Sequence, residues 1–334
     1  MKILKYKPSK TPIPELVTLV KDKYGDKKNF DFFFSDFQKA YNFCIDNPNI
    51  SFLPFSSFED EQLVAHIALI IDKRLLENEA FFGFFEMEQN LSVLKAIWQS
   101  LKEEAKKMGI SVLKGPVNGS IWHQYRCIKE TDSSEYFKSE PMSESYYYKL
   151  LTQMKPLSEV SYYSASREKF DNVMEVIKTE FRKLITVGFQ IEELKNVSYE
   201  QLLQIAEISR IAFRNSWGYT DLTEKEFLQL YSSDKLETHL NKLYLLYKDQ
   251  QIIGYCGTSV ENKQTLILKT ICILPEYQGL GLGNALAYKI HLDAQKEGFK
   301  KVIYALIRED NKVKNFPKDD TLIFRRYAAF EFKI

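Results

Sequence analysis

Between Ile271 and Asn284 the chain reads ICILPEYQGLGLGN, in which Gly279, Gly281 and Gly283 alternate with Leu280 and Leu282. Glycines at every second position, placed between an apolar strand-like run and a helix-like run, leave successive backbone N–H groups free to converge at a helix N-terminus. Such a nest holds a phosphate or pyrophosphate; the helix dipole favours the anion, and the missing Cβ atoms let it approach the backbone. Two familiar phosphate loops fit poorly. A P-loop needs GxxxxGK[ST], and no Lys-Ser or Lys-Thr follows these glycines. A dinucleotide loop needs GxGxxG directly after its strand; Gly279 and Gly281 fit, but Asn284 stands at the third glycine and Pro275 to Gln278 intervene.

The other reactive side chains form no comparable group. Cys44, Cys127, Cys256 and Cys272 make no CxxC pair, and His66, His123, His239 and His291 form no constellation with them or each other. Neither a zinc site nor a disulfide framework is expected. The cluster Lys21 to Lys28 is interrupted by Asp22 and Asp26 and reads as a solvated face. With 46 basic and 45 acidic side chains, the chain lacks the basic surplus that binding to nucleic acid or anionic membrane would draw on. No run of roughly 18 apolar residues occurs, and no apolar stretch follows the basic N-terminus. The expectation is a cytoplasmic protein with reduced thiols and no nucleic-acid or membrane partner.

A length of 334 residues predicts about two domains. In the first half, Val64–Ile71 and Ala80–Met87 read as strands. Leu94, Ile97, Trp98, Leu101, Ala105 and Met108 line one face of a helix that Gly109 stops, and a short strand begins at Ser111. The aromatic run from Phe30 to Phe37 reads as packing, and Glu168–Leu184 as a charged helix. The second half repeats the order. A helix at Leu202–Phe213 precedes the capping box Thr223-x-x-Glu226, then come strands at Leu243–Tyr247 and Ile252–Val260 joined by a polar hairpin turn, and a strand at Thr265–Leu274. The glycine loop opens a helix stopped by Gly298, followed by strands at Lys301–Ile307 and Ile323–Phe332. The shared order, strand pair, helix ended by glycine, strand, reads as a duplicated domain.

The stretch ICILPEYQGLGLGNAL resembles motif A of the GCN5-related N-acetyltransferases (GNAT), whose signature is [RQ]-x-x-G-x-[GA] after a strand and a Pro-Glu-Tyr turn. Gln278, Gly281 and Gly283 occupy the signature positions, with Pro275 and Tyr277 in the turn. The resemblance implies an α/β (α+β) architecture: two tandem GNAT folds, each a mixed, mostly antiparallel twisted sheet flanked by helices. Residues 1–184 would be a degenerate copy without a CoA loop, since Glu86 and Glu88-Gln89-Asn90-Leu91 stand at the motif A position; residues 185–334 would be the catalytic copy.

The resemblance further implies acetyl-CoA as co-substrate and no metal. The pantetheine arm would run along Ile271, Cys272 and Ile273, and the pyrophosphate would sit on Gln278, Gly279, Leu280, Gly281, Leu282, Gly283 and Asn284. Asn311 would bond the pantetheine amides. One strand N–H would serve as the oxyanion donor, worth ~3 kcal/mol. The reaction implied is direct transfer of an acetyl group to a primary amine of a small molecule or peptide. The usual strand carboxylate is replaced by Lys269 and Thr270, so the base comes from elsewhere or through water; the usual acidic Tyr is missing, leaving Tyr327 and Tyr304 as candidate acids. Asn215, Trp217 and Tyr219 would face the acceptor. The competing readings are a FemX-like aminoacyl-tRNA-dependent peptide transferase and a non-catalytic CoA-binding protein.

Overall fold

The computed structural model describes residues 1–194, 196–231, 242–310 and 320–334, so Asn311 and His239 lie outside the described residues. In chain order the strands and helices are β1 (Lys2–Lys5), α1 (Pro14–Tyr24), α2 (Phe30–Asp46), β2 (Ile50–Glu59), β3 (Gln62–Asp72), β4 (Glu79–Met87), α3 (Leu91–Lys107), β5 (Val112–Gly115), β6 (Val117–Asn118), β7 (Gln124–Tyr125), β8 (Cys127–Thr131), α4 (Tyr146–Gln153) and β9 (Ser158–Arg167). Then follow α5 (Asp171–Thr186), β10 (Phe189–Leu194), α6 (Tyr199–Phe213), α7 (Glu224–Tyr231), β11 (Lys242–Lys248), β12 (Gln251–Asn262), β13 (Thr265–Ile273), α8 (Leu282–Lys296), β14 (Lys301–Arg308) and β15 (Thr321–Lys333).

Contacts divide the chain into two units. The first comprises Met1–Tyr162, Trp217–Thr220 and Arg325–Ile334, and the second Tyr163–Ser216 and Asp221–Phe324. This division differs from the sequence boundary at 184/185: α5 goes with the second unit, whereas the last ten residues go with the first. The reason is pairing and packing. Phe330 to Lys333 pair antiparallel with Gly115 to Val112 of β5, and Phe330 and Phe332 enter a core with Phe82 and Trp98.

In the first unit β1, β2, β3 and β4 pair antiparallel in sequence order, and β4 then pairs parallel with β5. Alternation along β4, reversed by a bulge at Phe84–Phe85, sends Ala80, Phe82 and Phe85 into a core with α3, and Phe81 and Phe84 into another with α1 and α2. Each large apolar side chain so buried contributes about 1.5–3 kcal/mol. The aromatic run read as packing is helical, with Phe33 and Phe37 on its buried face. The β2 strand carries Pro54, a residue that demotes a strand in a sequence reading. It is nonetheless an interior strand, paired with β3 on one side and β1 on the other.

The second unit repeats this plan. The β10, β11, β12 and β13 strands pair antiparallel, and β13 pairs parallel with β14 after the α8 crossover. The β11–β12 turn is Asp249-Gln250, both at positive φ as the right-handed strand twist favours. Thr223 and Glu226 make the reciprocal cap on α7 that their spacing predicts.

Candidate functional site

In the second unit β13 and β14 are registered only from Thr265↔Lys301 to Leu268↔Tyr304, although β13 continues to Ile273 and β14 to Arg308. The strands part because each is bent at that point. Lys269 is an extra residue in β13 opposite the Gly257–Thr258 step of β12, and such a bulge turns the strand and increases its twist. On β14, Leu306 takes a φ of 59°. Ile271, Cys272 and Ile273 keep their β12 partners, Cys256, Tyr255 and Gly254, on one edge. No register with β14 extends to them on the other. A strand edge without a partner is a template for an extended ligand.

That edge leads into the glycine loop. Pro275–Tyr277 form one 3₁₀ turn, and Gln278 reaches back so that its Nε2 donates to the Ile273 carbonyl at 2.9 Å. Gly279 and Gly281 take φ values of 85° and 81°, a region that costs side-chain-bearing residues free energy and is open to glycine. Gly281 is the N-cap of α8, and among the described residues no side chain caps the first turn. The N–H groups of Leu282, Gly283 and Asn284 therefore have no intrahelical acceptor and point out of the helix end. Gln278, Gly279 and Leu280 are exposed, and Gly281, Gly283 and Asn284 half-buried. The predicted loop residues are brought together at one helix end, at the mouth of the unpaired edge.

Cys272 is not available for nucleophilic chemistry. Its Sγ lies 3.8 Å from the Ile208 carbonyl, and burial pushes the thiol up to about 12. The neighbouring Tyr255 hydroxyl bonds Ser209 Oγ at 2.8 Å; Ser209 donates its own proton to the Ile205 carbonyl at 2.7 Å, so Tyr255 is the donor.

Tyr304 stands at the last registered position before the strands part, and its hydroxyl is 2.6 Å from His291 Nε2. His291 Nδ1 is 2.6 Å from the Ala287 carbonyl, which only accepts, so Nδ1 carries the proton. Burial lowers the His291 pKa to about 4, which keeps the ring neutral and makes Nε2 an acceptor; Tyr304 therefore donates to it. Burial also raises the Tyr304 hydroxyl, against the opposing charge and hydrogen bond of Arg167. This relay was invisible in sequence because His291 and Tyr304 lie on different elements, joined across the helix–strand layer. His291 is thus satisfied at both ring nitrogens.

The remaining candidates are dispersed. Tyr327 belongs to the first unit, where it is wholly buried and donates to Glu140, which also pairs with Arg325 Nη1 at 2.6 Å. Asn215 is exposed after α6 in the second unit. Trp217 and Tyr219 belong to the first. Trp217 donates Nε1–H to Glu331 at 3.0 Å and stacks on Tyr125, while Tyr219 meets Trp122 edge-on.

In the first unit the equivalent place is built differently. β4 and β5 are registered from Glu79↔Val112 to Phe81↔Lys114, and a bulge at Phe84–Phe85 follows. There the chain itself fills the gap: Phe84 N–H donates to Asn118 Oδ1 at 2.6 Å, and a Cβ on Gly83 would lie 1.8 Å from the Val117 carbonyl oxygen. The α3 helix is capped by Asn90, whose side chain accepts from Ser92 and Val93 N–H. Glu86 is not at a loop but buried on β4, where Tyr24 and Tyr147 donate to its Oε2 at 3.0 and 2.7 Å. Burial raises its carboxyl to about 7, against those two hydrogen bonds and the Lys23 charge.

Among the described residues no group of His, Cys, Asp and Glu could hold a metal ion, and no helix is long and apolar enough to cross a membrane.

A sequence search of curated proteins finds no match for the chain. The acetyltransferase (GNAT) family model matches residues 202–314. Among solved structures, the tandem GNAT protein from the clavulanic acid biosynthesis pathway is similar at a TM-score of 0.58 and 10% identity, covering 99% of this chain and 98% of that one. A GCN5-related N-acetyltransferase from Sphaerobacter thermophilus gives 0.55 and 10%, covering 99% and 95%; one from Kribbella flavida gives 0.55 and 9%, covering 98% and 70%. At such identities the likeness is one of fold. The chain thus has the tandem GNAT fold, and its residues 202–314 match the acetyltransferase (GNAT) family.

Proposed function

We propose that the second unit is an acyl-CoA-dependent N-acyltransferase that uses acetyl-CoA and transfers the acetyl group directly to a primary amine of a small molecule or peptide. The observation that carries this reading is the parting of β13 from β14 after Leu268 and Tyr304, with the open edge leading to the uncapped N-terminus of α8. An extended pantetheine arm would lie along Ile271, Cys272 and Ile273, and the pyrophosphate would take the N–H groups between Gly279 and Asn284. A backbone N–H of the bulged strand would polarise the thioester carbonyl. The family match at 202–314 supports the acyl-transfer class. Asn311 stays a proposed pantetheine contact.

In the transfer the amine nitrogen bonds the carbonyl carbon, the carbon–sulfur bond breaks, and the proton released by the nitrogen reaches the thiolate. A phenol raised above its usual value, with its proton already donated to His291, is a poor acid for the departing thiolate. We therefore assign the proton transfer to water and Tyr304 to holding β14 against α8. Tyr304→Phe is expected to leave turnover within about threefold while lowering stability by ~1–3 kcal/mol, because the buried His291 Nε2 loses its donor. A fall in turnover of a hundredfold at unchanged CoA affinity would restore Tyr304 as the acid.

A second reading, CoA binding without turnover, draws support from the commitment of both candidate tyrosine protons to buried acceptors. Thioester cleavage followed across a panel of amines separates the two: the enzyme releases free CoA thiol with at least one acceptor, and a binding protein shows one CoA equivalent with no release.

A further inference from the structure

Glu180 is an exposed residue of α5, yet its carboxylate lies on the glycine loop. Oε2 accepts from Asn284 Nδ2 at 2.6 Å, and a Cβ built on Gly281 would come 3.4 Å from the same oxygen. The N-terminus of α8, which has no capping side chain of its own, is thus met by a carboxylate from another helix. The helix that carries it is fixed in place. Val173 and Ile177 of α5 pack with Ala287 and Tyr288 of α8, and Gln295 Nε2 donates to Asp171 Oδ1 at 3.1 Å near the other end. Only the Glu180 side chain, exposed and with three rotatable bonds, is left to move.

A pyrophosphate in the same cradle would bring its negative charges against this carboxylate at contact distance. Repulsion between like charges there opposes the hydrogen bond that holds the carboxylate at Asn284. We propose that Glu180 is an internal anion that occupies the cradle in the free protein and competes with the cofactor pyrophosphate for it. Glu180 thereby sets cofactor affinity, and its carboxylate swings out before the pyrophosphate seats. This rests on the reading of the loop as the CoA site.

The test is calorimetric titration of CoA, and separately of inorganic pyrophosphate, into the full chain, Glu180→Gln and Glu180→Lys. The Gln variant keeps an acceptor for Asn284 and nearly the same shape, so a purely structural role leaves its affinity unchanged. Competition predicts CoA binding about tenfold tighter in Glu180→Gln and tighter again in Glu180→Lys, with the same order for pyrophosphate. Equal or weaker CoA binding by Glu180→Gln, alongside clear binding by the unmodified chain, overturns the competition and leaves the loop reading standing. Absence of CoA and pyrophosphate binding in all three proteins overturns both.

Discussion

Each unit contains a strand that pairs in parallel for a few residues, bulges, and parts from its neighbour, and each has a helix that begins just beyond that strand. In the first unit the gap is filled by Val117 and Asn118, and the helix end is closed by the Asn90 side chain. In the second unit no β14 register extends beyond Leu268, and the helix begins at Gly281 with no capping side chain. The two units thus differ in what is left unsatisfied: the chain closes the gap and the helix end in the first and leaves both open in the second. The same backbone donors and strand edge exist in both places, and on the proposed reading the cofactor takes those that the chain does not satisfy itself. Of the two glutamates that the sequence sets against a phosphate in the first unit, Glu86 is buried between Tyr24 and Tyr147 and faces no loop, whereas Glu88 is exposed ahead of Asn90, 3.5 Å from Lys23 Nζ.

The comparison is most easily broken at Gly281. A β-branched side chain at a φ of 81° distorts the start of α8 and meets Glu180, so Gly281→Val is expected to weaken CoA binding on the order of a hundredfold. Calorimetry reads the loss, and circular dichroism should show the fold retained. Undiminished affinity would mean that the cradle is elsewhere.

The buried carboxylate of the first unit offers a sharper contrast in stability. The Glu86 pKa in the fold, about 7, lies above its unfolded value, so its contribution is greatest below pH ~4.5 and is lost as pH rises towards 7. Urea unfolding of the unmodified chain should show that contribution shrink by on the order of 3 kcal/mol between pH 4.5 and pH 8, and Glu86→Gln should remove this slope. Identical pH profiles for the two proteins would show that Glu86 ionises in the fold as it does in water.

The smallest effect is expected at the other cap. Asn90→Gly removes the side chain that closes α3 and costs only a few tenths of a kcal/mol in stability. Because Val117 and Asn118 still fill the gap, titration should continue to find one CoA per chain; a second equivalent would show that the cap alone keeps the first unit empty.

Sequence was most informative where local geometry dominates. The alternating glycines of the loop, the 3.6-residue periodicity of α3, the capping box of α7 and the glycine stops at Gly109 and Gly298 depend on neighbours within a few residues, and each is realised. The short strands β6 to β8 carry too little pattern to announce themselves, and Pro54 disguises β2. Candidate site residues divide along the same line. The loop residues lie together because they are contiguous, whereas Tyr327, Trp217 and Tyr219 were placed by position in the chain and lie in the first unit.

The duplicated order of elements and the glycine loop that opens α8 were legible in the chain alone, because both are written in short-range spacing and in the absence of side chains. The return of the last strand to the first unit, the hydrogen bond from Tyr304 to His291 and the place of Glu180 on the loop came from long-range contacts. Those contacts join residues 13 to more than 200 positions apart, and no periodicity in a chain records which distant surface a buried strand or a polar side chain will meet.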